Sequence, residues 1–165
     1  MPPIFNQHQI TIIMRRNLTE EECRAILEQN YIGRLAYISA GFPHIVPITF
    51  FYDVEHNSII SYSAEGHKIK AMRKNNAVSM GVDEISSIEN WKSVLVQGTF
   101  EELSRIDAKH MLHEFSKGVK DVLLNKYGAH PKYISEFSAK IHAEDAPIVF
   151  RITISDCTAK LRENK

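Results

Sequence analysis

Apolar and polar positions change rhythm several times along this chain, and each change predicts an element. In "NLTEEECRAILEQN", Cys23, Ile26 and Leu27 fall on one side of a helix. Thr19 with Glu22 makes a capping box there, and Leu18 with Cys23 makes the hydrophobic staple that fixes the entry of the chain. The next stretch, "GRLAYISAGFPHIVPITFFYDVEHNSIISYS", alternates apolar runs with turn residues. It predicts strands near 33–40, 44–52 and 58–63, with turns at 40–43 and 53–57. Links this short imply antiparallel neighbours, because a parallel pair needs a crossover of a dozen residues or more. A short helix is expected over 66–74, with Ile69, Ala71 and Met72 as its weak apolar side, and "NAVSMGVD" reads as a fourth strand. "WKSVLVQGTFEEL" is a long fifth strand in which Gly98 marks a bulge. From Ser104 to Tyr127 the period becomes 3.6. Ala108, Met111, Leu112, Phe115, Val119, Val122 and Leu123 form one stripe, and Gly128 supplies the stop. "AHPKYISEFSAKIHAEDAP" reads as irregular or briefly helical, and a closing strand over 147–160 is the sixth.

Six strands joined mostly by tight antiparallel links, with helices inserted between them, predict a mainly β fold closed into a small barrel, since closure removes exposed edges. Residues 1–165 are expected to form one domain: at 44% hydrophobic content the chain can bury most of its apolar surface around a single core. Charge then narrows the function classes. Twenty Lys and Arg balance twenty Asp and Glu, so no global field draws the protein to nucleic acid or acidic lipid. Cys23 and Cys157 are the only cysteines, too few for a disulfide framework and without zinc-knuckle spacing, which fits a reducing cytoplasm. The N-terminal "MPPIFNQHQITIIMRRN" lacks the order of a signal peptide, and no window reaches the eighteen or so apolar residues of a membrane helix. A soluble, cytoplasmic protein without nucleic-acid or membrane partners is expected.

One cluster departs from this even charge distribution. Where the strand ending at Tyr62 and Ser63 meets the helix beginning near Gly66, Lys68, Lys70, Arg73 and Lys74 follow at helical spacing. Unpaired N–H groups and the helix dipole favour an anion at such a junction, so Gly66, His67 and Lys68 would meet a phosphate, with Ser63 offering a hydroxyl. The same residues also describe an ordinary solvated helix, and Glu65 sits badly beside an anion. His110 and His113 lie three apart with Glu114 adjacent, but "HMLHE" lacks the zinc-protease order and both imidazoles turn away from the apolar stripe. No metal site is expected. His44 is a ligand contact or a strand-start residue; Trp91 stacks on a planar ligand or plugs a barrel end.

"GRLAYISAGFPHIVPITFFYD", "IISYSAEGHKIKAMRKNNAVSMGVDE" and "WKSVLVQGTFEEL", in that order and spacing, resemble the pyridoxamine 5′-phosphate oxidase-like superfamily. They are most similar to its flavin-nucleotide-binding branch, which includes the nitroimidazole-resistance proteins. The likeness covers about 18–103, and "APIVFRITISDCTAK" resembles that branch's last strand. The resemblance implies an FMN-binding split β-barrel, working as a homodimer with the flavins at the subunit interface. On this sequence it would lay His44, Ile45, Val46 and Pro47 along the isoalloxazine edge and ribityl chain through backbone groups. It would put Tyr62 and Ser63 beneath the ribityl and phosphate, and seat the phosphate on Lys68 and the Gly66–His67 backbone. Trp91 and Ser93 would come from the partner or the rim.

The chain also departs from the oxidases of that superfamily. His44 stands where they carry an arginine-bearing motif, and "CTAKLRENK" lacks the Arg- and Trp-rich substrate segment, which argues against pyridoxamine phosphate oxidase activity. The expected function is an FMN-dependent oxidoreductase that passes electrons from NAD(P)H to a small, nitroaromatic-like acceptor, with His67 as an acid–base group. The alternatives are a flavin carrier or sensor without turnover, and a haem-binding barrel using His130 or His142 as axial ligand.

Overall fold

The computed structural model describes residues 13–128 and 147–164. Among these residues the chain runs β1 (Ile13–Asn17), α1 (Glu20–Glu28), β2 (Ile32–Ser39), β3 (Phe42–Thr49), β4 (Phe51–Asp53), β5 (Ser58–Ser63), α2 (His67–Lys74), β6 (Ala77–Ile85), β7 (Trp91–Glu102), α3 (Arg105–Tyr127) and β8 (Ile148–Asn164). All the strand pairings are antiparallel. Their order is β3-β2-β6-β7-β8-β5-β4, with β1 on the far half of β8. The two ends of this path approach each other: Ser61 Oγ donates to the Thr49 carbonyl at 2.7 Å, and the Phe50 amide donates to the Tyr31 carbonyl at 2.8 Å. The mainly β barrel expected from the apolar pattern is therefore the fold.

Among the described residues the strands number eight, two more than expected. β1 has no alternating pattern of its own and exists because β8 runs on far enough to pair Lys160 with Asn17 and Asn164 with Ile13. The run read as one strand over 44–52 is two, since fully buried Phe50 gives its N–H to Tyr31 and leaves the ladder between β3 and β4. The bulge expected at Gly98 is present, with the extra residue on the partner strand. Gln97 faces Asp156 while Gly98 faces Ile154, which leaves Ser155 unpaired. Only glycine fits at 98, because a Cβ there would lie 2.4 Å from the Thr153 carbonyl oxygen.

The helices follow their sequence signals. Thr19 and Glu22 exchange both bonds of the capping box, at 3.2 and 2.8 Å. Cys23, Ile26 and Leu27 then seat α1 on the barrel core beside Leu35, Phe50, Met80, Val94 and Val96. α3 packs Met111, Phe115, Val119 and Leu123 against Ile60 and Val149, with Tyr62 and Phe51 at the margin. That second cluster covers the apolar stripe of the long helix with its own chain. His130 and His142 lie outside the described residues.

One feature of the sheet positions the site. β2 pairs with β3 along its whole length, from Ile32 to Ser39, but with β6 only from Arg34 to Ala36. Beyond Ala36 the β2–β3 hairpin parts from β6, and the barrel is split there.

Candidate functional site

The junction between β5 and α2 is built as an open helix start. Gly66 is the N-cap, in extended conformation, and no side chain among the described residues caps the helix. The first turn carries no acid. The N–H groups that have no partner inside a helix are left for water or a ligand. Lys68, in that turn, is half-buried and makes no ion pair among the described residues; desolvation holds its pKa below the ordinary lysine value. An ammonium kept partly out of water without a counter-charge is stabilised by a nearby anion.

The other charges of the cluster are arranged differently. Arg73 donates to both oxygens of Glu65, at 2.9 and 3.0 Å, and to both oxygens of Glu102, at 2.8 and 3.1 Å. Its hydrogen bonds push the Glu102 carboxyl below its usual range. The Glu65 charge that conflicted with an anion at Gly66 is therefore occupied by a guanidinium from the last turn of α2. Lys70 and Lys74 are exposed. Within one basic run, the structure separates a half-buried unpaired lysine from a clamped arginine and two solvated lysines.

A group of rings stands beside this start. Tyr37, inward-facing on β2 and 4% exposed, stacks on His44 of β3 at a centroid distance of 5.3 Å and an interplanar angle of 11°. His67 lies 5.0 Å from His44, its Nδ1 bonded to the Tyr37 hydroxyl at 3.0 Å and its Nε2 to the Ser39 hydroxyl at 3.1 Å. Hydroxyls serve a neutral imidazole as donor or acceptor, so both nitrogens are satisfied. His67 thus fastens the beginning of α2 to the end of β2. Tyr37 and Ser39 were missed by sequence reasoning, and Arg73 was read only as one charge of the basic run. For Tyr37 a signal was present: it shares strand parity with Gly33 and Leu35, and a buried phenol needs a partner.

Tyr37 also borders the split. Together with Ala36, Ile38, Pro43, Ala77, Val78, Ser79 and Gly98 it lines an open cleft of about 530 Å³, within the size range of small-molecule sites. β3 forms its flank as the end strand of the sheet path, pairing only with β2 among the described residues. Edge backbone groups are thereby left for a ligand, and Pro43 and Pro47 are the residue type such an edge tolerates. Along 44–47, His44 and Val46 face inward while Ile45 and Pro47 face out; Ile45 is 67% exposed.

The remaining expected site residues make other contacts. Tyr62 turns its ring to Phe115 of α3, 5.2 Å away, where burial raises its pKa. Ser63 donates to the Ala64 carbonyl within its own turn. Trp91 pairs with Ile85 and Arg162, and Ser93 with Asp83 and Lys160. Both share the outer face with Ile45, but Trp91 is six residues along the sheet from that row, about 20 Å at 3.3 Å per residue. Within one chain they do not join the cleft. Among the described residues, no helix is long and apolar enough to cross a membrane.

This architecture, an antiparallel barrel split along one seam with an uncapped helix start beside the opening, is that of the split β-barrels. A family model described as Pyridoxamine 5′-phosphate oxidase matches residues 19–159, and the chain belongs to that family. A crystal structure of a FAD-binding protein from Mesorhizobium loti is 30% identical, covers 92% of this chain and 98% of its own, and superposes with a TM-score of 0.71. An uncharacterized protein of Rhizobium meliloti (strain 1021) is 36% identical over 95 residues, which span 58% of this chain and 62% of that one. A structure from Bacteroides thetaiotaomicron VPI-5482, named for 5-nitroimidazole antibiotic resistance, covers 98% of both chains with a TM-score of 0.59. At 14% identity it shares the fold alone.

Proposed function

We propose that this chain is a flavin-binding protein that holds FMN in the split and uses it to pass electrons from NAD(P)H to a small, nitroaromatic-like acceptor. The observation that carries the reading is the pairing of an uncapped α2 start with Lys68, half-buried and without an ion-paired acid among the described residues, on the helix whose His67 bonds to Tyr37 of the cleft wall. Both features suit a terminal phosphate. The Mesorhizobium loti relative, a FAD-binding protein, supports a flavin as the ligand class. The Gly66–His67 backbone and Lys68 would hold the phosphate, and the free edge of β3 over 44–47 would face the ring system. A bound flavin supplies the redox chemistry; this chain supplies binding and orientation. His67 serves that end by tying Tyr37 and Ser39 to α2.

A homodimer in the cytoplasm completes the proposal. The outer face of the sheet carries Ile38, Ile45 and Leu95, 38%, 67% and 45% exposed, in neighbouring rows. An apolar patch on a sheet face marks an interaction surface. A twofold partner on this face would also bring a second copy of Trp91 and Ser93 toward the cleft. The purified protein tests the reading directly. A twin-banded flavin spectrum, released FMN and rapid bleaching by NADH or NADPH are expected. A colourless protein that refuses added FMN and FAD would overturn it. Bound flavin with no bleaching would favour a carrier, a reading supported by the full engagement of both His67 nitrogens.

A further inference from the structure

The two cysteines of the chain are far apart in sequence and adjacent in the fold. Cys23 lies on the buried side of α1 with Ile26 and Leu27, and Cys157 lies on β8, two residues past the Ser155 bulge. Both are free thiols; Cys157 packs against the core cluster that contains Cys23, and it shares a pocket with Glu20, Arg24 and Leu27, the α1 residues on either side of Cys23. Their access to solvent differs. Cys23 is 1% exposed, whereas Cys157 is half-buried and lines an open pocket of about 310 Å³ with Glu20, Arg24, Tyr52, Asn57 and Asp156. An oxidant can therefore reach one sulfur, and the other waits behind it.

We propose that Cys23 and Cys157 form a dithiol that closes to an intramolecular disulfide under a small disulfide oxidant of the glutathione type. The Cys157 thiolate attacks one oxidant sulfur, and the other half of the oxidant leaves as a thiol after taking up a proton. The Cys23 sulfur, giving its proton to solvent, then attacks the Cys157 sulfur of the mixed disulfide and expels the second half. Two protein thiols are oxidised, and one small disulfide is reduced to two thiols. The product pins α1 to the last strand by a covalent bond, independently of any flavin.

The same contact sets the rate. Burial first, and then the neighbouring Cys23, push the Cys157 thiol up to about 12. Little thiolate exists at neutral pH, so the pair closes slowly, about tenfold faster per pH unit while the thiol is mostly protonated. The test incubates the full chain with glutathione disulfide at pH 7, 8 and 9 and follows free thiols and intact mass. Loss of both thiols, a mass lower by two hydrogens and a peptide map joining residues 23 and 157 are expected. Closure of so long a loop should raise Tm by roughly 5–10 °C. In Cys23→Ser, Cys157 should instead retain one glutathione, because nothing remains to expel it. Two surviving thiols at pH 9, or a stable glutathione adduct on the unsubstituted chain, would overturn the proposal. Cys157→Ser should leave Cys23 unmodified in the folded protein; rapid labelling of Cys23 there would equally refute the assigned order of attack.

Discussion

Two helices of this chain begin in opposite ways. α1 opens with Thr19 as a side-chain cap, three acids in its first turn and Arg16 clamped to Glu22 at 2.6 and 2.8 Å. Every device that completes a helix start is supplied locally. α2 opens with Gly66, no cap, no acid in its first turn, and a half-buried lysine. The two starts lie in one fold of balanced charge, so the difference is not one of overall electrostatics. A start that its own side chains satisfy is structural, and one that leaves its donors and a cation unanswered is open to completion from outside.

The sharpest way to break the contrast is to give α2 the solution that α1 uses. Gly66 has extended backbone, which any residue adopts, and a Cβ there would meet nothing within 4 Å. Gly66→Asp should therefore cap α2, stabilise the flavin-free protein by about 0.3 kcal/mol, and lower FMN affinity by about 100-fold or more, because a carboxylate takes the donors and repels the phosphate. Thermal melts and flavin fluorescence titration read the two effects. Unchanged affinity would show that the α2 amides hold no phosphate.

Removing the cation comes next. Lys68→Ala should weaken FMN binding by about 1.5–3 kcal/mol, or roughly 10- to 150-fold, while Lys74→Ala, on an exposed side chain, should stay within about twofold. Equal losses from the two substitutions would replace the local site with diffuse surface charge. The pH dependence has a definite sign. The free-protein pKa of Lys68 is lowered from 10.5, and an anion prefers its protonated form. Affinity should be full below that lowered pKa and fall as pH rises through it, and Lys68→Ala should abolish this alkaline loss.

A subtler break exposes Glu65. If Arg73 acts by occupying that charge, Arg73→Ala should cost about 3- to 10-fold in FMN affinity, the scale of one partly screened charge nearby. Arg73→Ala combined with Glu65→Gln should return to within about twofold of the original. A double variant as weak as the single one would mean that Arg73 works by packing instead. Isothermal titration at low and moderate salt separates these outcomes.

What could be read from the sequence follows from the range of each signal. The α1 cap, the α3 stripe, the Gly98 bulge and the 66–68 junction are local patterns, and each appears where the residues placed it. β1 was illegible because its pairing depends on how far β8 extends, more than a hundred residues later. The break at Phe50 was hidden inside a continuous apolar run, since the Tyr31 carbonyl that causes it lies on another segment. In the site, Lys68 was legible by spacing, whereas the clamp on Glu65 was not. Arg73 reaches Glu102 at the end of β7 as well as Glu65, and only the folded sheet brings that carboxylate near.

The smallest expected effect sharpens the comparison from the side of α1. Hydrogen bonds from Arg16 and then from the Thr19 backbone hold the Glu22 carboxyl at about 2, below its ordinary 4.5. A carboxyl depressed in the folded state contributes stability that is fully present above its unfolded pKa and is lost as pH falls through the folded one. The Arg16–Glu22–Thr19 contribution should therefore fade between about pH 4.5 and pH 2. Because the pair is exposed, added salt should shrink it. Glu22→Gln should flatten the acid limb of the stability curve in that window, measured by denaturant midpoints, and leave FMN affinity at neutral pH unchanged. A loss of flavin from that substitution would couple the two helix starts and remove the ground for treating one as structure and the other as site.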